Sequence, residues 1–181
     1  MIVGYPGQSE KDVTDTAKYL VAKEIPHVSA YILSVEDGTP LSHMIDSGTQ
    51  KLPKEEKLLK QYQSVVNTLS SAGYIRYEIS NFAKPGFTCK HNLTYWRRKE
   101  YLGLGVAAHS YIDGVRFSNT ENLQTYCECI ETKAKAPVSS VTKLTKEEKK
   151  EEFVMLSLRT GEGLNTEEYQ KEFGENFLAK H

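Results

Sequence analysis

The chain has 181 residues, 39% of them hydrophobic and 26% charged, and carries a formal net charge of −1. That length holds one domain or one and a half, and the balance is that of a folded globular protein. The near-neutral charge supplies no strong field for nucleic acid or a membrane surface, and no apolar run approaches the roughly 20 residues of a spanning helix.

The opening MIVGYPGQSEKD has neither the basic n-region nor the apolar h-region of a signal peptide, which predicts a cytoplasmic protein. Ile2-Val3 reads as the last residues of a strand meeting a Gly/Pro turn. At the far end FLAKH stops inside an apolar pattern, so both termini read as cuts in a longer protein. Ser9, with Asp12 three residues on, is an acidic capping box, and Val13, Ala17, Leu20 and Val21 recur at helical spacing until Pro26 bars continuation. His27 to Val35 is nearly continuous in β-formers, as in a parallel strand covered on both faces. Thr39-Pro40 predicts an N-cap and first residue of a short helix.

Pro53 opens a long helix with Leu58, Tyr62, Val65, Val66 and Leu69 in one stripe, closed by Gly73. Tyr74 to Ile79 is the next expected strand. Long crossovers between strands predict parallel pairing, hence an α/β sheet or barrel over residues 1–80.

After Asn81 the sequence is rich in Gly, aromatics and polar residues, with little helical period. YIDGVRFSN predicts a hairpin turning at Asp113-Gly114. Asn122 to Thr132 predicts a helix with Leu123, Tyr126, Cys127 and Ile130 on one face, KAKAPVSSVTKL a polar connector, and Thr145 with Glu148 the start of a helix burying Phe153, Val154 and Leu156. Asn165 to Phe173 is a last short helix closed by Gly174. Residues 120–181 thus read as a small helical unit.

Four constellations could carry chemistry. GYPGQ, residues 4–8, sits at a strand's C-terminal end, where α/β folds bind ligands; a plain βα turn needing glycine explains it equally. Glu36-Asp37 and Glu78 close strands on that edge, as ligand-holding or solvated acids. Cys127 and Cys129 lie two residues apart on a helix, about 200° round it, so their thiols diverge, Cys127 inward and Cys129 outward. The three cysteines, Cys89, Cys127 and Cys129, fit neither a disulfide framework nor a four-thiolate zinc site.

The fourth is KHNLTYW, residues 90–96. His91 can ligate iron, and Tyr95 and Trp96 offer the flat walls a porphyrin needs, with Cys89 a second soft donor nearby. A hydrogen-bonded structural histidine is the competing reading, and His109 in GLGVAAHSY shares the ambiguity.

Taken in order, GYPGQ, HVSAYILSVEDGTP, GYIRYEISNFAKPG, HNLTYW and EYLGLGVAAHSYIDGVRFSN resemble the oxygen-independent coproporphyrinogen III oxidase-like radical SAM family. The H-N-x-x-Y-W motif, met by His91, Asn92, Tyr95 and Trp96, marks its haem chaperone branch. The resemblance covers essentially the whole chain. It implies a partial TIM-type barrel followed by a C-terminal domain, with residues 1–80 as the barrel's last βα units and 81–181 as most of that domain.

It also implies S-adenosylmethionine and a [4Fe–4S] cluster in the full-length protein. The C-x₃-C-x₂-C motif that would hold the cluster is missing here, so this chain is expected neither to carry the cluster nor to cleave S-adenosylmethionine. Gly4, Pro6, Gly7 and Gln8, with Ile32 and Glu36, would remain as part of the pocket wall. His91, Asn92, Tyr95 and Trp96 would contact haem, His91 as iron ligand and Asn92 orienting its ring.

The leading expectation is a piece of a haem chaperone whose partners are haem and haem-accepting proteins. The alternatives are a true coproporphyrinogen III oxidase, removing two propionate carboxylates by radical decarboxylation, and a non-catalytic interaction module. Half a barrel would leave a strand edge uncovered, through which two copies could pair.

Overall fold

The computed structural model describes residues 1–135 and 137–180. They fall into two compact units, one ending at Cys89 and the next beginning at Lys90. The sequence boundary after residue 80 therefore shifts, because the next strand stays with the first unit.

That first unit runs β1 (Ile2–Val3), α1 (Glu10–Ala22), β2 (His27–Ser29), β3 (Tyr31–Ile32), α2 (Pro40–Asp46), α3 (Glu55–Ser71), β4 (Ile75–Arg76) and β5 (Asn81–Ala83). Helix α1 starts where expected: Ser9 Oγ accepts from Asp12 N, while the Asp12 carboxylate accepts from Ser9 N at 2.8 Å. Strands β1 and β3 pair in parallel, Ile2 opposite Tyr31 and Val3 opposite Ile32, with α1 in the crossover between them.

The expected continuous strand from His27 to Val35 is broken at Ala30. Strand β2 pairs antiparallel with β5, which pairs on its other edge with β4. The expected Tyr74–Ile79 strand shrinks to Ile75–Arg76 for the same reason. Asn81–Ala83 doubles back between β2 and β4 and takes their ladder bonds, leaving Ala30 N to donate to Ser80 O at 2.7 Å. A run of β-formers specifies a strand but not its partner, so the switch was not readable.

The stripes of α1 and α3 bury Val13, Ala17, Val65 and Leu69 with the sheet residues Val3, Val28, Ala30 and Phe82. Ile2, Tyr31, Ile32 and Ile75 remain exposed.

His27, at the start of β2, faces Tyr77 with Nε2 and the phenol oxygen 2.8 Å apart. Burial lowers the imidazole pKa, and the charge of Glu78 opposes that shift only in part. A folded pKa below the unfolded value means that the unfolded chain takes up the proton first. Stability should therefore be full above about pH 7 and decline as the pH falls through the unfolded value of about 6.5. Denaturant midpoints at pH 8 and pH 5.5 should show this decline. His27→Gln should flatten it, and an equal decline in that variant would assign it elsewhere.

The second unit runs α4 (Lys90–Trp96), β6 (His109–Ile112), β7 (Val115–Asn119), α5 (Leu123–Lys133), β8 (Val138–Lys143), α6 (Lys146–Ser157), α7 (Thr166–Phe173) and α8 (Phe177–Lys180). The β6–β7 hairpin turns on Asp113 and Gly114, with φ 52° and 73°, the two positive angles a type I′ turn demands. The segment expected to be a polar connector contains β8, antiparallel to β7, so this unit is not purely helical. Every residue of β8 is exposed, so no buried alternation marked it; hydrogen bonds define it, with Ser118 Oγ 2.6 Å from Ser140 Oγ.

Helix α5 buries none of its residues, so the expected inward face of Leu123, Tyr126, Cys127 and Ile130 is not covered. Cys127 is exposed and Cys129 half-buried, the reverse of the sequence expectation.

Phe153 from α6 packs edge-on to Tyr169 and Phe173 from α7, at centroid separations of 5.5 and 5.8 Å. Lys150 is buried but donates to both Glu147 and Glu175 at 2.7 Å. Those hydrogen bonds raise its pKa and outweigh the opposing effect of burial, so the ammonium stays charged. Among the described residues no helix is long and apolar enough to cross a membrane.

Candidate functional site

KHNLTYW is a helix, where sequence periodicity showed none. A seven-residue element is too short for an amphipathic stripe to emerge, and its end is what fixes it. Arg98 N donates to Tyr95 O at 3.0 Å and Lys99 N to Thr94 O at 2.9 Å, the paired bonds of a Schellman motif.

The left-handed position of that motif is Arg98, φ 51°, where glycine is usual. A side chain there costs about 1 kcal/mol, and the guanidinium explains the choice. It lies 4.7 Å above the Phe153 ring and pairs with Glu172 at 2.6 Å, with only 10% of the side chain exposed. One residue thus ends α4 and anchors it to α6 and α7.

The helix sorts the motif onto two faces. His91 and Tyr95, four residues apart, share one: Tyr95 Oη lies 2.9 Å from His91 Nε2 and the rings meet edge-on with centroids 4.8 Å apart. Tyr101 continues the row 4.5 Å from Tyr95, and Tyr111 lies 6.5 Å beyond it. Burial raises the Tyr101 phenol pKa, so that phenol stays protonated near neutral pH. His91 is exposed, and its Nδ1 makes no hydrogen bond among the described residues. One ring nitrogen is therefore open to a metal while the other is steadied by a phenol.

Trp96 lies five residues from His91, about 140° round the helix, so the two are on different faces. Its ring carries the Arg159 guanidinium at 5.6 Å. It also lines a cavity of about 640 Å³ with Arg97, Arg98, Lys99, Phe153 and Asn165. Sequence reasoning missed this basic wall, although the run RRK directly after the motif was visible. What was not visible is the side of the helix on which it lands. Asn92 lies on α4 between these two sets and is half-buried.

The other expected site residues meet at the first unit's parallel strand ends. Leu33 N donates to Val3 O at 2.8 Å, setting the Gly4–Gln8 loop beside Ile32. The loop is closed by its own last residue: Gln8 Oε1 accepts from Gly4 N at 2.8 Å and Tyr5 N at 3.3 Å, and Gln8 Nε2 donates to Ile2 O at 3.1 Å. Gln61 Nε2 holds the same residue from below through Gln8 O, at 2.7 Å. Gly4, φ 94°, is packed so tightly that a Cβ would lie 2.6 Å from Leu58 Cδ1. Gly7 also has positive φ, and Pro6 sits between them half-buried. Ile32 and Glu36 are exposed, Glu36 accepting from Ser34 Oγ at 3.1 Å.

Among the described residues no three His, Cys, Asp or Glu side chains converge on a metal position. Cys89 and Cys129 are half-buried and Cys127 exposed, without the three-thiolate spacing an iron–sulfur cluster requires. This donor set does not fit the cluster.

Residues 144–180 match the HemN C-terminal domain family. The chain is 34% identical over 174 residues to the heme chaperone HemW of Bacillus subtilis (strain 168), covering 96% of this chain and 46% of that protein. To the heme chaperone HemW of Mycobacterium tuberculosis (strain ATCC 25618 / H37Rv) it is 37% identical over 164 residues, covering 91% and 42%. The fold superposes on the solved coproporphyrinogen III oxidase (HemN) from Escherichia coli, a radical SAM enzyme, with a TM-score of 0.74. That match has 19% sequence identity and covers 99% of this chain and 44% of the other.

The fold is therefore that of part of the HemN structure. Residues 144–180 carry the likeness to the HemN C-terminal domain, and the curated proteins the chain matches include HemW heme chaperones. The chain spans less than half the length of those curated relatives.

Proposed function

We propose that this chain is the haem-handling part of a haem chaperone, with His91 as the iron ligand. The observation that carries the reading is the exposed His91 imidazole, one nitrogen open and the other 2.9 Å from the Tyr95 hydroxyl, within a motif that resembles that of the chaperone branch. A protein that passes haem on needs its ligand at the surface, where an acceptor can compete for the iron. A buried axial ligand would have to be uncovered first.

In this reading His91 donates a lone pair to iron, Tyr95 fixes the ring, and the half-buried Tyr101 backs Tyr95. The oxidase reading shares the fold; the His91–Trp96 motif, which resembles that of the chaperone branch, favours the chaperone. Titration of hemin into the chain should give a saturable, shifted Soret band from one histidine-ligated haem per chain. A non-saturating absorbance, as hemin gives with an unrelated protein, would contradict the reading. Production of protoporphyrinogen from coproporphyrinogen by a protein containing this chain would support the oxidase instead.

A further inference from the structure

The cavity beside Trp96 is built from features the His91 face does not use. Trp96 gives it flat apolar surface, and Arg97 and Lys99 give it exposed cations; the Phe153 ring in its wall is covered by Arg98, which Glu172 holds. Arg97 pairs with Glu162 at 2.5 Å, but both partners are well exposed, and such a pair is worth no more than about 1 kcal/mol. Its guanidinium can exchange that partner for a ligand carboxylate. Lys99, and Arg159 stacked on Trp96, have no carboxylate partner among the described residues. Against these cations stand Glu162 and Glu168, the latter in the first turn of α7, where the Asn165 side chain caps the backbone N–H groups.

A flat indole beside exchangeable cations selects a planar conjugated ligand carrying carboxylates. The volume of about 640 Å³ lies within the usual range for small-molecule sites. We propose that this cavity binds such a ring through its carboxylates, at a site separate from the His91 imidazole and needing no iron. That the ring is a porphyrin rests on the haem-chaperone reading; the carboxylate chemistry of the cavity does not.

Trp96 is the chain's single tryptophan, so its emission reports on the cavity directly. Protoporphyrin IX, which lacks iron, is titrated into the chain, its His91→Ala, Lys99→Glu and Ser157→Phe variants, each checked for folding by circular dichroism. Saturable quenching is expected, unchanged within about twofold by His91→Ala. Lys99→Glu should weaken it about tenfold, the scale of one lost charge-assisted hydrogen bond, and Ser157→Phe should do the same, because Ser157 of α6 also lines the cavity and the phenyl ring would fill the space. Protoporphyrin dimethyl ester should bind more weakly than the diacid.

Equal binding of ester and diacid, or folded Lys99→Glu and Ser157→Phe variants that bind normally, would overturn the proposal. So would loss of binding in His91→Ala, or no saturable quenching at all. If hemin binding proves independent of His91 while these iron-free results hold, the ligand assignment falls and the cavity site stands.

Discussion

His91→Ala should weaken hemin binding at least about tenfold, or about 1.4 kcal/mol, and move the Soret band toward that of free hemin. The substitution removes the single exposed imidazole of the motif and leaves the fold alone: α4 is ended by Arg98 and the Thr94 and Tyr95 carbonyls, none of which touches His91. Tyr95→Phe then distinguishes the ligating atom. If Nε2 binds iron, removing the facing hydroxyl frees it and affinity holds or rises. If Nδ1 binds, the phenol oxygen supports the ring from behind by accepting from Nε2–H, and affinity falls. Absorbance titrations of the three proteins read both effects, and identical curves for His91→Ala and the unaltered chain would remove His91 from the site.

Phe153→Ala should destabilise the second unit by about 3–5 kcal/mol, the cost of deleting a buried phenyl ring. Its ring is the centre of the Tyr169–Phe173 cluster and the platform under Arg98. Losing the platform also removes what offsets the left-handed backbone of Arg98, so the end of α4 should loosen with it. Urea unfolding followed through Trp96, which lies in this unit, isolates its transition from that of the other. A loss below about 1 kcal/mol would show that the cluster does not hold the unit together.

Much of this was readable because it is local. Ser9 with Asp12, Thr145 with Glu148, and Asn165 each accept from N–H groups within three residues, so the caps are written in adjacent letters. The Asp113-Gly114 turn follows from two residues tolerant of positive φ. What escaped was set by distant partners. The break at Ala30 depends on Asn81–Ala83 arriving from the far side of α3, and β8 depends on β7 offering an edge to a polar segment. The Cys127 assignment failed because periodicity describes which residues share a face, not whether anything covers it.

The site was legible in the same uneven way. The motif letters identified His91 and its neighbours, and helical geometry, once a helix is granted, separates Trp96 from His91. Nothing in the sequence showed that KHNLTYW is helical, because its terminator is an arginine held by Phe153 and Glu172, more than fifty residues away. The GYPGQ loop illustrates the limit of motif reading. Its glycines are explained by backbone angle and by Leu58, and its amide donors at Gly4 and Tyr5 are taken by Gln8.

The assignment of His91 as iron ligand is tested most directly by labelling the ring nitrogens of the chain's five histidines with ¹⁵N and recording spectra of the ferric haem complex with cyanide. One histidine should show strongly shifted ring resonances, absent in His91→Ala and retained in His109→Ala. Shifted resonances that survive His91→Ala, or that vanish in His109→Ala, would contradict it.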